Sequence, residues 1–331
     1  MKGRRMFSAL RLSAATIALS LLGTLAIPLA YGASIPETKE PIKLTLNEWT
    51  GQHVTTKIAG IILERMGYKV EYVTAGYLPQ FTALSDGTAD AALEIWLSNI
   101  GETWPKAKES GKVVEVGDLG LKAREGWLYP SYMKDICPGL PNWEALKSSA
   151  CAQALATADT LPKGRILDYP PDWGSHSEAM IKGLDLQLQA VSAGSEGALV
   201  SELKAAALKK TPIIAMFWSP HWLFNELDLE WVEMPKYEPA CMDDPKWGPN
   251  PNEVGDCALP NSEIIKVAWS GMEKKWPAAY RFLQNYQMTD EAQIPMISAI
   301  DVHNHTLDEV AQAWVEKNKD TWQKWVDAAV K

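Results

Sequence analysis

Phenylalanine is scarce in this 331-residue chain, with five residues against 15 tryptophans, and basic side chains are outnumbered, 32 Lys and Arg against 41 Asp and Glu. The balance of −9 excludes binding of nucleic acid through its phosphates, which takes clustered Lys and Arg to displace counterions. The five histidines form no ligand-spaced pair beyond His303 and His305, and neither HExxH nor GxSxG occurs, so the zinc-protease and nucleophile-elbow signatures are missing. Beyond residue 30 no apolar run reaches about 18 residues, so no spanning helix is expected there. Long internal repeats and low-complexity stretches are absent too. What is present, at 47% hydrophobic and 22% charged, is a globular composition long enough for two domains or one large one, and disorder is excluded.

Residues 1–33 read as a cleavable export signal. Lys2, Arg4, Arg5 and Arg11 are basic, Leu12 to Ala30 is mostly apolar, and Ala30 and Gly32 are small residues at a cleavage spacing. A membrane anchor is the competing reading, with the apolar stretch near the lower limit for a spanning helix. Arg4-Arg5-Met6-Phe7 is weakly similar to a twin-arginine signal. Removing these four basic residues takes the balance from −9 to −13. No cysteine sits at the cleavage point, so a free periplasmic protein, monomeric in action, is expected rather than a lipoprotein.

Export leads to an oxidising compartment, where an even cysteine count suggests disulfides. Four cysteines permit three pairings. Sequence proximity favours Cys137 with Cys151 and Cys241 with Cys257, each closing a short loop with Pro and Gly. Zinc is the alternative, but no CxxC or histidine partner lies at ligand spacing. The loop 238–262 carries Asp243, Asp244, Glu253 and Asp256, oxygen ligands dense enough to suit a structural Ca²⁺. Their spacing is not that of an EF-hand, and a solvated acidic loop is the plainer reading. No other cofactor is expected.

From Pro41 short β-rich runs alternate with amphipathic ones, which signals α/β architecture. Ile42 to Leu46 alternates with period two, Thr55 to Met66 places Ile58, Ile61, Ile62 and Met66 at helical spacing, and Lys69 to Val73 is the next strand. A helix from Phe81 to Ser85 and a strand from Ala89 to Ile95 follow, so parallel pairing through right-handed crossovers is expected. A second unit starts near Gly126, with strands expected at Ala154–Ala158, Leu188–Ser192 and Ile213–Phe217 and helices at Ser177–Gly183 and Gly197–Lys209. A further strand at Ile264–Trp269 leads to terminal helices. There Thr306 and Glu309 have capping-box spacing.

Core packing is the default reading of a tryptophan. It suffices for Trp314, Trp322 and Trp325 at helical spacing, for Trp104, Trp143 and Trp276 at helix starts or prolines, and for Trp231 and Trp269 in strand-like runs. Trp49, Trp96, Trp173 and Trp218 differ because all four lie at strand-to-loop transitions, where the ligands of parallel sheets bind. Two come from each unit, so four indole faces can enclose one methylated ammonium group, which is apolar outside and positive throughout.

These residues carry a family resemblance. Glu48-Trp49-Thr50, the run Gly60 to Val70, the segment Leu84 to Trp96 and Phe217-Trp218-Ser219-Pro220-His221-Trp222 resemble the substrate-binding proteins of ABC importers for quaternary amines and related osmolytes. The resemblance spans about residues 41 to 330 and implies a type II periplasmic binding protein: two α/β lobes, each a mixed sheet flanked by helices, joined by two hinge strands. Residues 34–126 and 235–331 then form lobe 1, 127–234 form lobe 2, and 238–262 is a disulfide-closed insertion in lobe 1. It also implies no catalysis and delivery of the ligand to an inner-membrane permease. Glycine betaine, choline, carnitine and trimethylamine N-oxide are the candidate ligands.

For a betaine carboxylate, the backbone of Gly174 and Ser175 with His176, His221 or His53 is the expected donor set. Glu125, near Trp127 and Tyr129 at the first lobe crossing, argues the other way, as does Glu48, because a second carboxylate in a low-dielectric pocket repels the first. A carboxyl suits choline's hydroxyl and cation, and a protonated one suits the oxygen of an N-oxide. The local pattern is most similar to trimethylamine N-oxide binders; the plain reading of Glu125 is a surface ion pair. An exported glycoside hydrolase with tryptophan platforms is the remote enzyme alternative. A sugar lectin would need many more hydroxyl partners around its rings.

Overall fold

Central strands that are largely buried are what this chain uses to build its two sheets. The computed structural model describes residues 34–261 and 263–331; the signal segment at 1–33 lies outside them. The first sheet has the order β2-β1-β3-β11-β4, with β1 (Ile42–Leu46), β2 (Val70–Thr74), β3 (Ala91–Trp96), β4 (Val113–Lys122) and β11 (Glu263–Trp269). β1 pairs in parallel with β2 and β3, while β11 enters antiparallel between β3 and β4. All six residues of β3 are buried, the pattern of a strand covered on both faces.

The second sheet repeats the plan. Its order is β10-β5-β9-β7-β8, with β5 (Arg124–Pro130), β7 (Gly164–Asp168), β8 (Leu188–Ser192), β9 (Ala215–Ser219) and β10 (Leu229–Trp231). β7 pairs in parallel with β8 and β9, and β5 runs antiparallel to β9. The short β6 (Pro138–Pro141) stands apart from both sheets. Each sheet is thus a parallel trio with antiparallel strands added, flanked by helices, and this is the expected two-lobed architecture.

Several boundaries differ from expectation. Ala154–Ala158 is not a strand: the helix Ser149–Leu155 occupies it, and the strand comes later as β7. β4, unmarked by simple alternation, was not anticipated; glycines at 117 and 120 interrupt its pattern, both at positive φ. The first crossing between sheets falls at Ala123, because β4 ends at Lys122 and β5 from Arg124 belongs wholly to the second sheet.

The 238–262 loop, expected in lobe 1, packs on lobe 2. Lys182 pairs with Glu253 at 2.8 Å. Gly183 also lies so close that a Cβ there would meet that of Asp256 at 2.9 Å. Both favoured disulfides are present, Cys137–Cys151 and Cys241–Cys257. The C-terminal helices cover lobe 1, and the capping box at Thr306 and Glu309 starts the helix Leu307–Lys317. Among the described residues no helix is long and apolar enough to cross a membrane.

Lys266 on β11 is fully buried, and its Nζ donates to the carbonyls of Asp118 and Tyr286. Burial lowers its pKa from 10.5 to about 8, against a weaker opposing pull from Asp118. The folded chain therefore binds this proton less well than the unfolded chain. The resulting penalty is complete below about pH 8 and relieved as pH rises toward 10.5. At 1.36 kcal/mol per unit the effect is at most about 3 kcal/mol. Relative to Lys266→Met, the wild-type chain should gain stability between pH 7 and pH 10 in denaturant melts. A difference that does not change with pH would show that no ammonium is buried there.

Candidate functional site

Where the two sheets face each other, Trp49, Tyr77 and Trp96 from the first lobe meet Glu125, Tyr169, Trp173 and Trp218 from the second around one cavity. The space inside is small. About 30 Å³ is open to the centre of a water-sized sphere, room for a few heavy atoms rather than a long ligand.

Strand ends put the rings there. Trp49 follows β1 and is the N-cap of the helix Thr50–Arg65, and Trp96 is the last residue of β3. Trp173 closes the turn Pro171–Trp173 after β7, where Gly174 at φ 82° lets the chain reverse. Trp218 sits in β9 directly opposite Glu125 in β5, and directly paired residues project to the same face of a sheet.

The rings meet edge to face. Trp49 lies 5.3 Å from Trp173 at 65°, Trp173 lies 5.6 Å from Trp218 at 72°, and Tyr169 lies 5.8 Å from Trp218 at 69°. Trp49 and Tyr77 are 5.5 Å apart at 72°. Such contacts present the negative face of one ring toward the positive edge of the next.

Hydrogen bonds lock the box. Tyr77 Oη donates to the carbonyl of Trp96 at 2.8 Å and accepts from its N–H at 2.9 Å. The indoles of Trp49 and Trp96 both donate to Glu94, at 2.8 and 3.1 Å. Trp173 Nε1 donates to Glu48 across the lobes at 3.2 Å.

Among the described residues Glu125 is the one acidic group lining the cavity. Burial raises its pKa from 4.5 to about 7, opposed by the hydroxyls of Ser98 and Tyr169. Ser98 donates to its carboxyl, whereas the buried Tyr169 hydroxyl makes no hydrogen bond of good geometry to the protein. The Glu125 carboxyl and the neighbouring Tyr169 hydroxyl therefore face the same small space.

Other expected residues lie elsewhere. Trp127 and Tyr129 follow Glu125 along β5, but each second residue advances about 6.8 Å and carries them past the cavity. Trp127 Nε1 donates to Ser177 at 3.0 Å, and Tyr129 Oη faces Glu230 at 3.4 Å. Gly174, Ser175 and His176 form the turn behind Trp173: Ser175 Oγ donates to Asp168 and accepts from the N–H of Ser177, and burial lowers the pKa of His176. His53 Nε2 contacts the carbonyl of Asn47.

His221 Nδ1 accepts from the N–H of Leu223 at 3.1 Å, which leaves Nε2 to donate to Glu196 at 3.2 Å. It belongs to a contact between lobes rather than to the cavity. Glu196 accepts from the N–H of Thr50 at 2.9 Å, and Trp222 Nε1 donates to Asp301 at 2.8 Å.

The Ca²⁺ expectation also changes. Among the described residues the trio with ligand atoms within 4.8 Å of one another is Glu196, His221 and Asp301. Asp243, Asp244, Glu253 and Asp256 do not converge: Glu253 pairs with Lys182, Asp244 accepts from the N–H of Lys246, and Asp256 accepts from that of Asn250.

Two α/β lobes closing an aromatic box between their strand ends define a solute-binding protein of the two-lobed type. The chain belongs to the OpuAC family, described as the substrate-binding domain of ABC-type glycine betaine transport systems, whose model matches residues 40–317. It is 29% identical over 313 residues to a trimethylamine N-oxide-binding protein of Pelagibacter ubique strain HTCC1062, covering 92% of this chain and 97% of that one. Over 139 residues it is 30% identical to a glycine betaine/carnitine transport binding protein of Listeria monocytogenes, 41% of this chain and 39% of the other.

Among solved structures, a choline-binding protein of an ABC transporter, in complex with choline, matches with a TM-score of 0.71 at 18% identity, covering 89% of this chain and 97% of the other. Lactococcal OpuAC, closed on glycine betaine, matches with 0.67 at 22%, covering 87% and 99%. These likenesses show the fold of a type II binding protein, and the family is one of transport rather than catalysis.

The two tyrosines should respond differently to removal of their hydroxyls. Tyr77→Phe breaks two buried hydrogen bonds to Trp96 and should cost about 1–3 kcal/mol in unliganded thermal melts. Tyr169→Phe removes a hydroxyl that makes no hydrogen bond of good geometry, beside Glu125, and should cost clearly less in the same unliganded melts. Equal losses would mean that the protein holds the Tyr169 hydroxyl as firmly as that of Tyr77.

Proposed function

We propose that this protein, exported by its first 33 residues to the periplasm, captures trimethylamine N-oxide in the box and delivers it to an inner-membrane ABC permease. The observation that carries this reading is Glu125, a carboxyl with a pKa of about 7 inside a small cage of four indoles. The methylated ammonium head sits against the ring faces. Protonated Glu125 and the Tyr169 hydroxyl then donate to the oxygen, which an N-oxide presents directly on nitrogen. The likeness to a relative named for the same ligand, over most of both chains, supports the choice. The short cavity favours it over carnitine or other extended betaines.

Five heavy atoms at a ceiling of about −1.5 kcal/mol each allow about −7.5 kcal/mol, a low-micromolar affinity, so nearly every contact must count. Trp96→Ala and Trp218→Ala should each nearly abolish binding in calorimetry. Affinity within about threefold of wild type for either variant would sink the cage.

Choline binding is the second reading, since an ionised Glu125 would accept a hydrogen bond from its hydroxyl. The two readings predict opposite pH dependence. Neutral Glu125 is the form that donates to an N-oxide. Affinity for it should therefore be flat well below pH 7 and fall as pH rises through 7, approaching tenfold per unit. Choline affinity should instead rise over that range. Glu125→Gln keeps a donor without a titration, so the slope should vanish. Titrations of trimethylamine N-oxide, glycine betaine and choline between pH 5.5 and 8.5 separate the readings.

A further inference from the structure

We propose that Glu94 is a positioning residue that sets the charge preference of the cage, by anchoring two of its indoles to one buried carboxylate; this rests on the binding reading above. Glu94 lies on β3, two residues before Trp96, and is 1% exposed. It does not line the cavity. Its Oε1 accepts from the indole N–H of Trp49 at 2.8 Å and from that of Trp96 at 3.1 Å. Its Oε2 accepts from Thr55 Oγ1 and from Gln293 Nε2, each at 3.0 Å. Gln293 Nε2 also donates to Thr55 Oγ1 at 3.0 Å, which directs the Thr55 proton at the carboxylate.

Among the described residues, the four groups hydrogen-bonded to this carboxyl all donate to it. Four hydrogen bonds favour the charged form, against a larger upward push from burial that leaves the pKa raised above 4.5. Two consequences reach the ligand. The rings of Trp49 and Trp96 come from different segments, and a shared acceptor fixes their orientations before anything binds. An indole that donates to a carboxylate is also more electron-rich, so its face attracts a cation more strongly. The negative charge is placed behind the rings, where it strengthens attraction to an onium head without meeting the oxygen of the ligand.

A neutral carbon isostere separates charge from shape. tert-Butanol carries three methyls and one oxygen on a neutral centre and matches trimethylamine N-oxide in outline. Glu94→Gln keeps an acceptor of similar size and removes the charge. It should weaken trimethylamine N-oxide binding about tenfold and leave the weak binding of tert-butanol, followed by NMR titration, within about twofold. Glu94→Asp keeps the charge with shorter reach, and it should lose affinity for both ligands while retaining the preference for the onium. Equal losses for the two ligands in Glu94→Gln, or no loss, would overturn the proposal.

The indole ¹⁵N–¹H resonances of the unliganded protein provide a readout that needs no ligand. Those of Trp49 and Trp96 should lie downfield in wild type and move upfield in Glu94→Gln, and unmoved signals would overturn the anchoring. Failure of wild type to bind any methylated amine, with those shifts as expected, would overturn the binding reading while supporting the anchor.

Discussion

Placing a carboxyl among indole rings is the constraint on which the rest of this site depends. Water is excluded there, and a charge without partners is costly. Two buried glutamates meet the problem differently. Glu94 is surrounded by donors from Trp49, Trp96, Thr55 and Gln293. Burial raises the pKa of both, and Glu125, opposed only by the hydroxyls of Ser98 and Tyr169, rises to about 7. The two carboxyls therefore sit in different environments, one behind the rings and one facing the cavity.

Topology brings those roles together. The parallel trio in each sheet ends its strands on the side facing the other lobe, so β1 and β3 deliver Trp49 and Trp96 while β7 delivers Tyr169 and Trp173. β5, entered directly from the first sheet, pairs with β9 and places Glu125 opposite Trp218. Contacts between lobes then frame the box without entering it. Glu196 caps the N-terminus of the helix after Trp49, and Trp222 reaches Asp301. The aromatic cluster in Phe217 to Trp222 is therefore divided, with one indole on the ligand side and one on the closure side.

Much of this was legible in the residues. Alternation and helical spacing marked β1, β2, β3 and the helices between them, because those elements bury one face or both in a regular period. The strand-end position singled out Trp49, Trp96, Trp173 and Trp218, and the charge of Glu125 near the first lobe crossing singled it out separately. The same rule would have found Tyr169, the residue immediately after β7. Tyr77 had no such signal, since it sits in a loop and is defined by its hydrogen bonds to Trp96. Trp127 and Tyr129 shared the parity of Glu125 but not its position along the strand. His176 and His221 looked like ligand donors by type and were taken up by local partners instead.

Composition, strand-end position and cysteine spacing indicated an α/β chain with four candidate site tryptophans and two disulfides, and the resemblance of its motifs to importer substrate-binding proteins added the two-lobed plan. All of those follow from short-range pattern: period, neighbouring residue type, distance along the chain. Which rings share an acceptor, which carboxyl is saturated with donors and which is left near neutrality, and which lobe receives the disulfide loop required the folded chain. Hydrogen-bond partners such as Glu94 with Gln293, or Glu196 with Thr50, lie more than a hundred residues apart. Their energies depend on burial that no local window contains.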